Sequence, residues 1–333
     1  MKRPIVVIPM GDPAGIGPEI TVKALLDDEI NDKARCVIVG DAGQIQKTIK
    51  LLNQTATVKI IHSPDEGEYK TGILNIVDLD NIDEDKFEYG KISAMCGKAA
   101  YEYIEKAIDL VMHKEGDVVA TTCINKESLR AANVPYIGHT EIFGALTHTS
   151  DPLTMFELEN MRVLFLSRHV SLRKACDLVT KDRIIEYVKR GTVALNQLGI
   201  INPRIAVAGL NPHCGEHGLF GDEEVKEIIP AVDELKEMGY NVEGPIGADS
   251  VFYQAREGRY DCVLSLYHDQ GHIATKTVDF NRTISITCGM PILRTSVDHG
   301  TAFDIAGKGI AQDISMKEAI FKAVRYAGSY HKN

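Results

Sequence analysis

DRIIEYVKRGTVALNQLGIINPRIAVAGLNPH, residues 182–213, contains the alternation that decides the fold. Its first half repeats apolar side chains at Ile184, Ile185, Val188, Leu195 and Leu198, the spacing of one helix face. Its second half, RIAVAGL, is a short apolar run of the kind that fills a buried strand, and it ends at His213. The pattern recurs on both sides. PIVVIPM (4–10), RCVIVGD (35–41), GDVVATT (116–122), RVLFLS (162–167), DCVLSLY (261–267) and RTISITCG (282–289) read as strands, and residues 93–116 and 224–239 carry helical periodicity. Strands alternating with amphipathic helices predict an α/β protein with a largely parallel sheet. No repeat, low-complexity tract or Gly/Ser linker interrupts the chain, and the acidic, aperiodic stretch 65–91 reads as a solvated surface excursion.

Three of the apolar runs end in a histidine: MRVLFLSRH at His169, RIAVAGLNPH at His213 and DCVLSLYH at His268. In open α/β sheets ligands bind outside the carboxyl ends of the strands. Three imidazoles on one such edge have the chemistry to converge on a divalent metal, although a single strand-end histidine is more often a hydrogen-bonded structural residue. Cys214 and His217 beside His213 are read as structural or solvent-facing, His272 has no assigned role, and His62, His113, His148 and His331 belong to no constellation.

Composition narrows the classes. The 333 residues are 44% hydrophobic, enough for a full core and for two domains of ordinary size. Against 37 Lys+Arg stand 47 Asp+Glu, a formal charge of −10, which argues against a nucleic-acid binder with a broad basic face. A small anionic substrate stays compatible, because a few cations in a cleft outweigh a distant acidic surface. Seven scattered cysteines without a C-x-x-C pair suit a reducing compartment. The N-terminal apolar run is broken by Pro9, Gly11, Asp12 and Pro13, too early for a signal peptide, and no stretch approaches the ~20 apolar residues of a membrane span. A cytoplasmic protein with no membrane partner is expected.

GDPAGIGPEI follows the first strand and opens a helix, where backbone amides can meet an anionic ligand. Its glycines do not give G-x-G-x-x-G, and the P-loop Lys-Ser/Thr is absent. The segment nevertheless resembles the N-terminal GDGIGPE of the isocitrate and isopropylmalate dehydrogenases, and VDHGTAFDIAGKGIA (297–311) resembles their adenosine-binding loop. GHTEIFG (138–144), NPHCGE (211–216), YHDQG (267–271) and LRTSVDHGTA (293–302) resemble the PdxA family, the 4-hydroxythreonine-4-phosphate dehydrogenases and their relatives. The resemblance runs from Val6 to about Ala311.

It implies two α/β/α lobes with a cleft between them: a discontinuous NAD-binding lobe, 1–128 plus 270–333, and a metal, substrate and dimerisation lobe, 129–269. It implies His169, His213 and His268 as ligands of a divalent metal, zinc first with Mg, Mn or Co as alternatives, in a homodimer whose subunits share the site. His139, Thr140, Lys276 and Arg294 match the family's substrate contacts, and a Lys point charge with an Arg fork suits a phosphate monoester. His139, Lys276 and Asp249 are all candidates for proton transfer. His299, Gly300, Thr301 and Asp304 fall in the cofactor loop, where Asp304 would accept from ribose hydroxyls and repel a 2′-phosphate, favouring NAD.

Ser285 stands where biosynthetic members usually carry Asn, a shorter side chain without an amide donor. It inclines the expectation to the branch that oxidises C3 of 4-phospho-D-threonate or D-erythronate 4-phosphate, a branch of carbohydrate metabolism. The alternative is 4-hydroxy-L-threonine 4-phosphate dehydrogenase of pyridoxal phosphate biosynthesis. A metal hydrolase or lyase without nicotinamide is disfavoured by the HGTAFDIAG loop. A silent metabolite sensor is disfavoured by the presence of every expected ligand and cation.

Overall fold

The computed structural model describes residues 3–330. In chain order its principal elements are β1 Ile5–Pro9, α1 Gly17–Leu25, α2 Asp28–Lys33, β2 Arg35–Gly40, α3 Ala42–Leu51, β3 Thr57–Ile60, β4 Ile73–Asp78, α4 Ala94–Met112, β5 Val118–Thr121, α5 Lys126–Ala131 and α6 His139–Leu146. There follow β6 Leu153–Leu158, β7 Met161–Phe165, α7 Leu172–Asp177, α8 Lys181–Gln197, β8 Ile205–Ala208, α9 Ile229–Glu237, β9 Val242–Ile246 and α10 Val251–Arg256. The chain ends with β10 Cys262–Ser265, α11 His268–Val278, β11 Ile284–Cys288, β12 Arg294–Ser296 and α12 Ile314–Tyr330.

These elements form two compact units, one comprising the chain up to Pro152 and again from Met290, the other Leu153–Gly289. Positions 128 and 269, where the sequence suggested the lobes divide, lie inside α5 and α11. Neither helix can be cut there, because α5 packs along α4 and α11 packs on β7 and β10.

In the first unit the strands run β3-β4-β2-β1-β5-β12, all paired in parallel. A parallel sheet needs cover on both faces, so its central strands read as continuous apolar runs. All five residues of β1 are buried, and α4 packs on it through a face that includes Tyr103, Ile104, Ala107 and Ile108. The stretch 65–91 is more than the solvated excursion expected from its charge. Leu74, Asn75, Ile76 and Val77 of β4 are buried between β2 and β3. Asn75 is tolerated there because its amide exchanges two hydrogen bonds with the backbone of Glu68. The acidic flanks form short turns capped by Ser63 and Asp83.

In the second unit the order is β11-β6-β7-β10-β8-β9. β6 is antiparallel to β7 and β11, while β7, β10, β8 and β9 run parallel. Its core gathers Phe156, Val163 and Phe165 with Val251, Phe252 and Tyr260. Among the described residues no helix is long and apolar enough to cross a membrane, and all seven cysteines are free thiols.

Candidate active site

β7, β10 and β8 are consecutive neighbours in their sheet, and the three strand-end histidines follow them: His169 after β7, His268 after β10, His213 after β8. The His169 and His268 rings lie 6.0 Å apart between centroids. The His268 Nδ1 is 2.6 Å from the Asp269 carboxylate. A carboxylate on one ring nitrogen fixes the imidazole's orientation and directs the other nitrogen, Nε2, to a ligand. Residues 213–217 form a left-handed turn, with φ from 43° to 74°, a conformation that L-residues hold only when the surroundings impose it. Here the fully buried carboxylate of Glu224 accepts from the backbone amides of Leu210 and Asn211 at 2.8 and 2.7 Å and from Asn211 Nδ2 at 2.8 Å. Within the single chain the three histidines are not gathered: among the described residues no three His, Cys, Asp or Glu side chains form a metal-binding group.

Helix α11 carries His268, His272 and Lys276 at four-residue spacing, hence along one stripe. The buried His272 ring is stacked on Phe165 (4.8 Å), set edge-on to Phe156 (4.3 Å), and 4.1 Å from His268. Burial pushes its pKa down to about 4, helped by the charges of His268 and Lys276. Lys276 Nζ lies 5.1 Å from the centre of the Phe280 ring. Ser285, in β11, is buried and pairs directly with Phe156 of β6. Asp249 precedes α10 and is exposed; with Glu224 it acts on the Cys214 thiol, which burial and these carboxylates push up.

The other expected substrate residues belong to the first unit. Gly138 caps α6, so His139 and Thr140 occupy its first turn. Phe143, one turn on, lies 5.3 Å below the Arg294 guanidinium. Arg294 opens β12, is buried, and donates from Nε to Thr121 Oγ1 at 3.0 Å. Burial lowers its pKa to about 9, with Asp298 opposing, so it remains a cation at neutral pH. Burial, then the Arg294 charge, holds His139 well below the usual 6.5. It is a neutral imidazole beside a cation, and the burial and charge that keep it neutral also weaken it as a proton acceptor.

The two motifs from opposite chain ends meet in this unit. Ile16 N–H donates to Thr301 C=O at 3.0 Å. A Cβ on Gly15 would come within 2.9 Å of Thr301 Cβ, so only glycine allows this approach. From α1, Glu19 accepts from Gly307 N–H at 2.8 Å, and Lys23 Nζ donates to Gly309 and Ala311 carbonyls at 2.9 and 2.6 Å. His299 is half-buried, Asp304 is exposed, Gly300 has open space where a side chain would be, and Thr301 is buried. Glu19 is 1% exposed, and its Oε2 has no hydrogen-bond partner among the described residues.

The sequence profile described as "Pyridoxal phosphate biosynthetic protein PdxA" matches residues 32–323. The chain belongs to the PdxA family. A Fusobacterium nucleatum relative provisionally named D-threonate 4-phosphate dehydrogenase is 60% identical, covering 98% of both chains. A Clostridium botulinum relative of the same name is 58% identical, covering 99% of each. The crystal structure of a Klebsiella pneumoniae 4-hydroxythreonine-4-phosphate dehydrogenase superimposes with a TM-score of 0.91 at 39% identity, covering 98% of both chains.

Near these motifs lie two buried acids that sequence reasoning passed over. Glu19 lay in plain view in GPEI, but its role as the anchor of a loop 288 positions away depends on the fold. Asp12, fully buried, accepts from Ala14 N–H at 2.9 Å. Burial raises its pKa to about 6 against the opposing bonds from Ala14 and Ser128. The donor sets fit the groups that the family implies. Imidazoles suit a divalent transition metal, and the unpartnered Glu19 oxygen beside the 301–311 loop suits a cofactor rich in hydroxyl and amide donors.

Proposed function

We propose that the protein oxidises C3 of 4-phospho-D-threonate or D-erythronate 4-phosphate with NAD, and that decarboxylation of the 3-oxo acid leaves dihydroxyacetone phosphate. The observation that carries this is the name shared by relatives at 60% and 58% identity over essentially the whole chain, D-threonate 4-phosphate dehydrogenase. The 4-hydroxythreonine name belongs to the neighbour at 39%. Ser285 supports the same side: a hydroxyl there neither offers nor needs the amide contact of the amino-acid enzymes.

NAD supplies the hydride acceptor, and a divalent cation on His169, His213 and His268 supplies polarisation of the C3 oxygen. A second copy of the chain would complete the set of ligands, as the family resemblance implies. The protein's own residues do the rest. Arg294 offers a fixed fork, and Lys276 a point charge, to a substrate with phosphate and carboxylate at opposite ends. His139 and Thr140 bind the substrate from the first turn of α6. His139, Lys276 and Asp249 are the candidates for taking the C3 hydroxyl proton. His299, Gly300 and Thr301 hold the adenosine half, and Asp304 favours NAD over NADP by repelling a 2′-phosphate. Cytoplasmic residence and a homodimer belong to the same reading.

Parallel assays of NADH formation with the two hydroxy acids and 4-phospho-hydroxy-L-threonine test the substrate. Preference for a hydroxy acid by kcat/KM is expected. Preference for the amino acid would return the protein to vitamin B6 synthesis.

A further inference from the structure

The parallel ladder across β7, β10 and β8 stops short of the histidines. Its last registered pairs are Ser265 with Phe165 and Leu264 with Val207. Past a last backbone bond, from Leu166 N–H to Ser265 C=O at 2.8 Å, side chains carry further cross-strand bonds. Gln270, buried in the first turn of α11, accepts from Leu266 N–H at 2.7 Å and donates from Nε2 to Gly209 C=O at 2.8 Å. Ser167 Oγ donates to Leu266 C=O at 2.9 Å. A continuous chain of hydrogen bonds therefore runs Ser167, Leu266, Gln270, Gly209 across all three strands. Its strand-end stations, the Ser167 hydroxyl and the Leu266 and Gly209 backbone, each precede one of the histidines in sequence: Ser167 before His169, Leu266 before His268, Gly209 before His213.

A primary amide is suited to this place. It presents one acceptor and a donor, as a peptide unit inserted between two parallel strands would, whereas a carboxylate lacks the donor and an aliphatic chain lacks both. A buried glutamine that served only itself could satisfy its groups locally. Gln270 instead bonds to two different strand ends at the edge where strand pairing has stopped.

We infer that Gln270, with Ser167, is a positioning residue for the histidine edge: it sets the spacing of the His169, His213 and His268 loops, so that each copy of the chain presents its imidazoles to the cation in fixed register. The inference rests on the reading of these histidines as metal ligands. It is tested on the full-length protein stripped of metal and titrated with Co(II), reading the visible d–d absorption and the dissociation constant against a chelator.

Loss of the wild-type Co(II) band in His268→Ala is the expected control; a band unchanged in His169→Ala, His213→Ala and His268→Ala would overturn the ligand reading, and this inference with it. Given that control, Gln270→Leu is expected to weaken Co(II) binding about 10–100-fold and to shift the band, with Ser167→Ala moving both in the same direction by less. Wild-type affinity and spectrum in a folded Gln270→Leu would overturn the positioning role while leaving the ligands standing. If Gln270→Leu does not fold, Ser167→Ala and Gln270→Glu decide by the same two readouts.

Discussion

The Glu19 carboxylate accepts a 2.8 Å hydrogen bond from the backbone amide of Gly307, 288 positions downstream. Through it, with Lys23 gripping Gly309 and Ala311, α1 holds the loop that the functional reading gives to the cofactor. A hydrogen bond to a buried charged group contributes about 1.5–3 kcal/mol. Glu19→Ala should therefore raise KM for NAD about tenfold or more and leave KM for the phosphorylated acid within about twofold. Glu19→Gln, which keeps the acceptor, should recover most of the loss. Equal rises in both KM values would show that α1 does not act through the cofactor loop.

Asp12 makes stability depend on pH. Burial raises its folded pKa from 3.8 to about 6, so the folded chain keeps a proton that the unfolded chain releases between those values. The contribution is complete below pH 3.8 and is lost as pH climbs through about 6, a penalty on the order of 3 kcal/mol at neutral pH. Asp12→Asn, free of that penalty, should gain in Tm over wild type as buffer pH rises from 4.5 to 7.5. A difference in Tm that does not change with pH would contradict this assignment.

His139 titrates with the opposite sign. Its folded pKa is depressed by burial and by Arg294, so wild type loses stability as pH falls from 6.5 towards that depressed value. His139→Asn should show a shallower decline over that range. If His139 is the base among the three candidates, the substitution should also lower kcat about 10²-fold or more. Unchanged kcat would pass the role to Lys276 or Asp249.

Asp304 is exposed in the 301–311 loop, and its charge is the proposed barrier to NADP. Asp304→Lys should improve kcat/KM for NADP relative to NAD about tenfold or more, through removal of repulsion and gain of a cation. Steady-state kinetics with both nucleotides measure it. An unaltered ratio would move the selectivity elsewhere.

Much of this site was legible in the chain because buried parallel strands must be apolar runs, and a histidine that ends such a run is conspicuous. His169, His213 and His268 do follow neighbouring strands. β4 escaped notice because its short apolar run sits among acidic turns, and its burial comes from β2 and β3 on either side. Glu19 and Gln270 were visible as letters but not as links, since the partners of each lie far along the chain. The left-handed turn at 213–217 has no local signature beyond Gly215; the Glu224 carboxylate fixes the chain just before it, at Leu210 and Asn211.

The most direct test is to follow the purified, metal-loaded enzyme with NAD and [1-13C]4-phospho-D-threonate by 13C and 31P NMR while NADH is read by absorbance. One labelled carbon dioxide and one dihydroxyacetone phosphate should form for each NADH. NADH without labelled carbon dioxide, or no turnover of this acid while 4-phospho-hydroxy-L-threonine is consumed, would contradict the account.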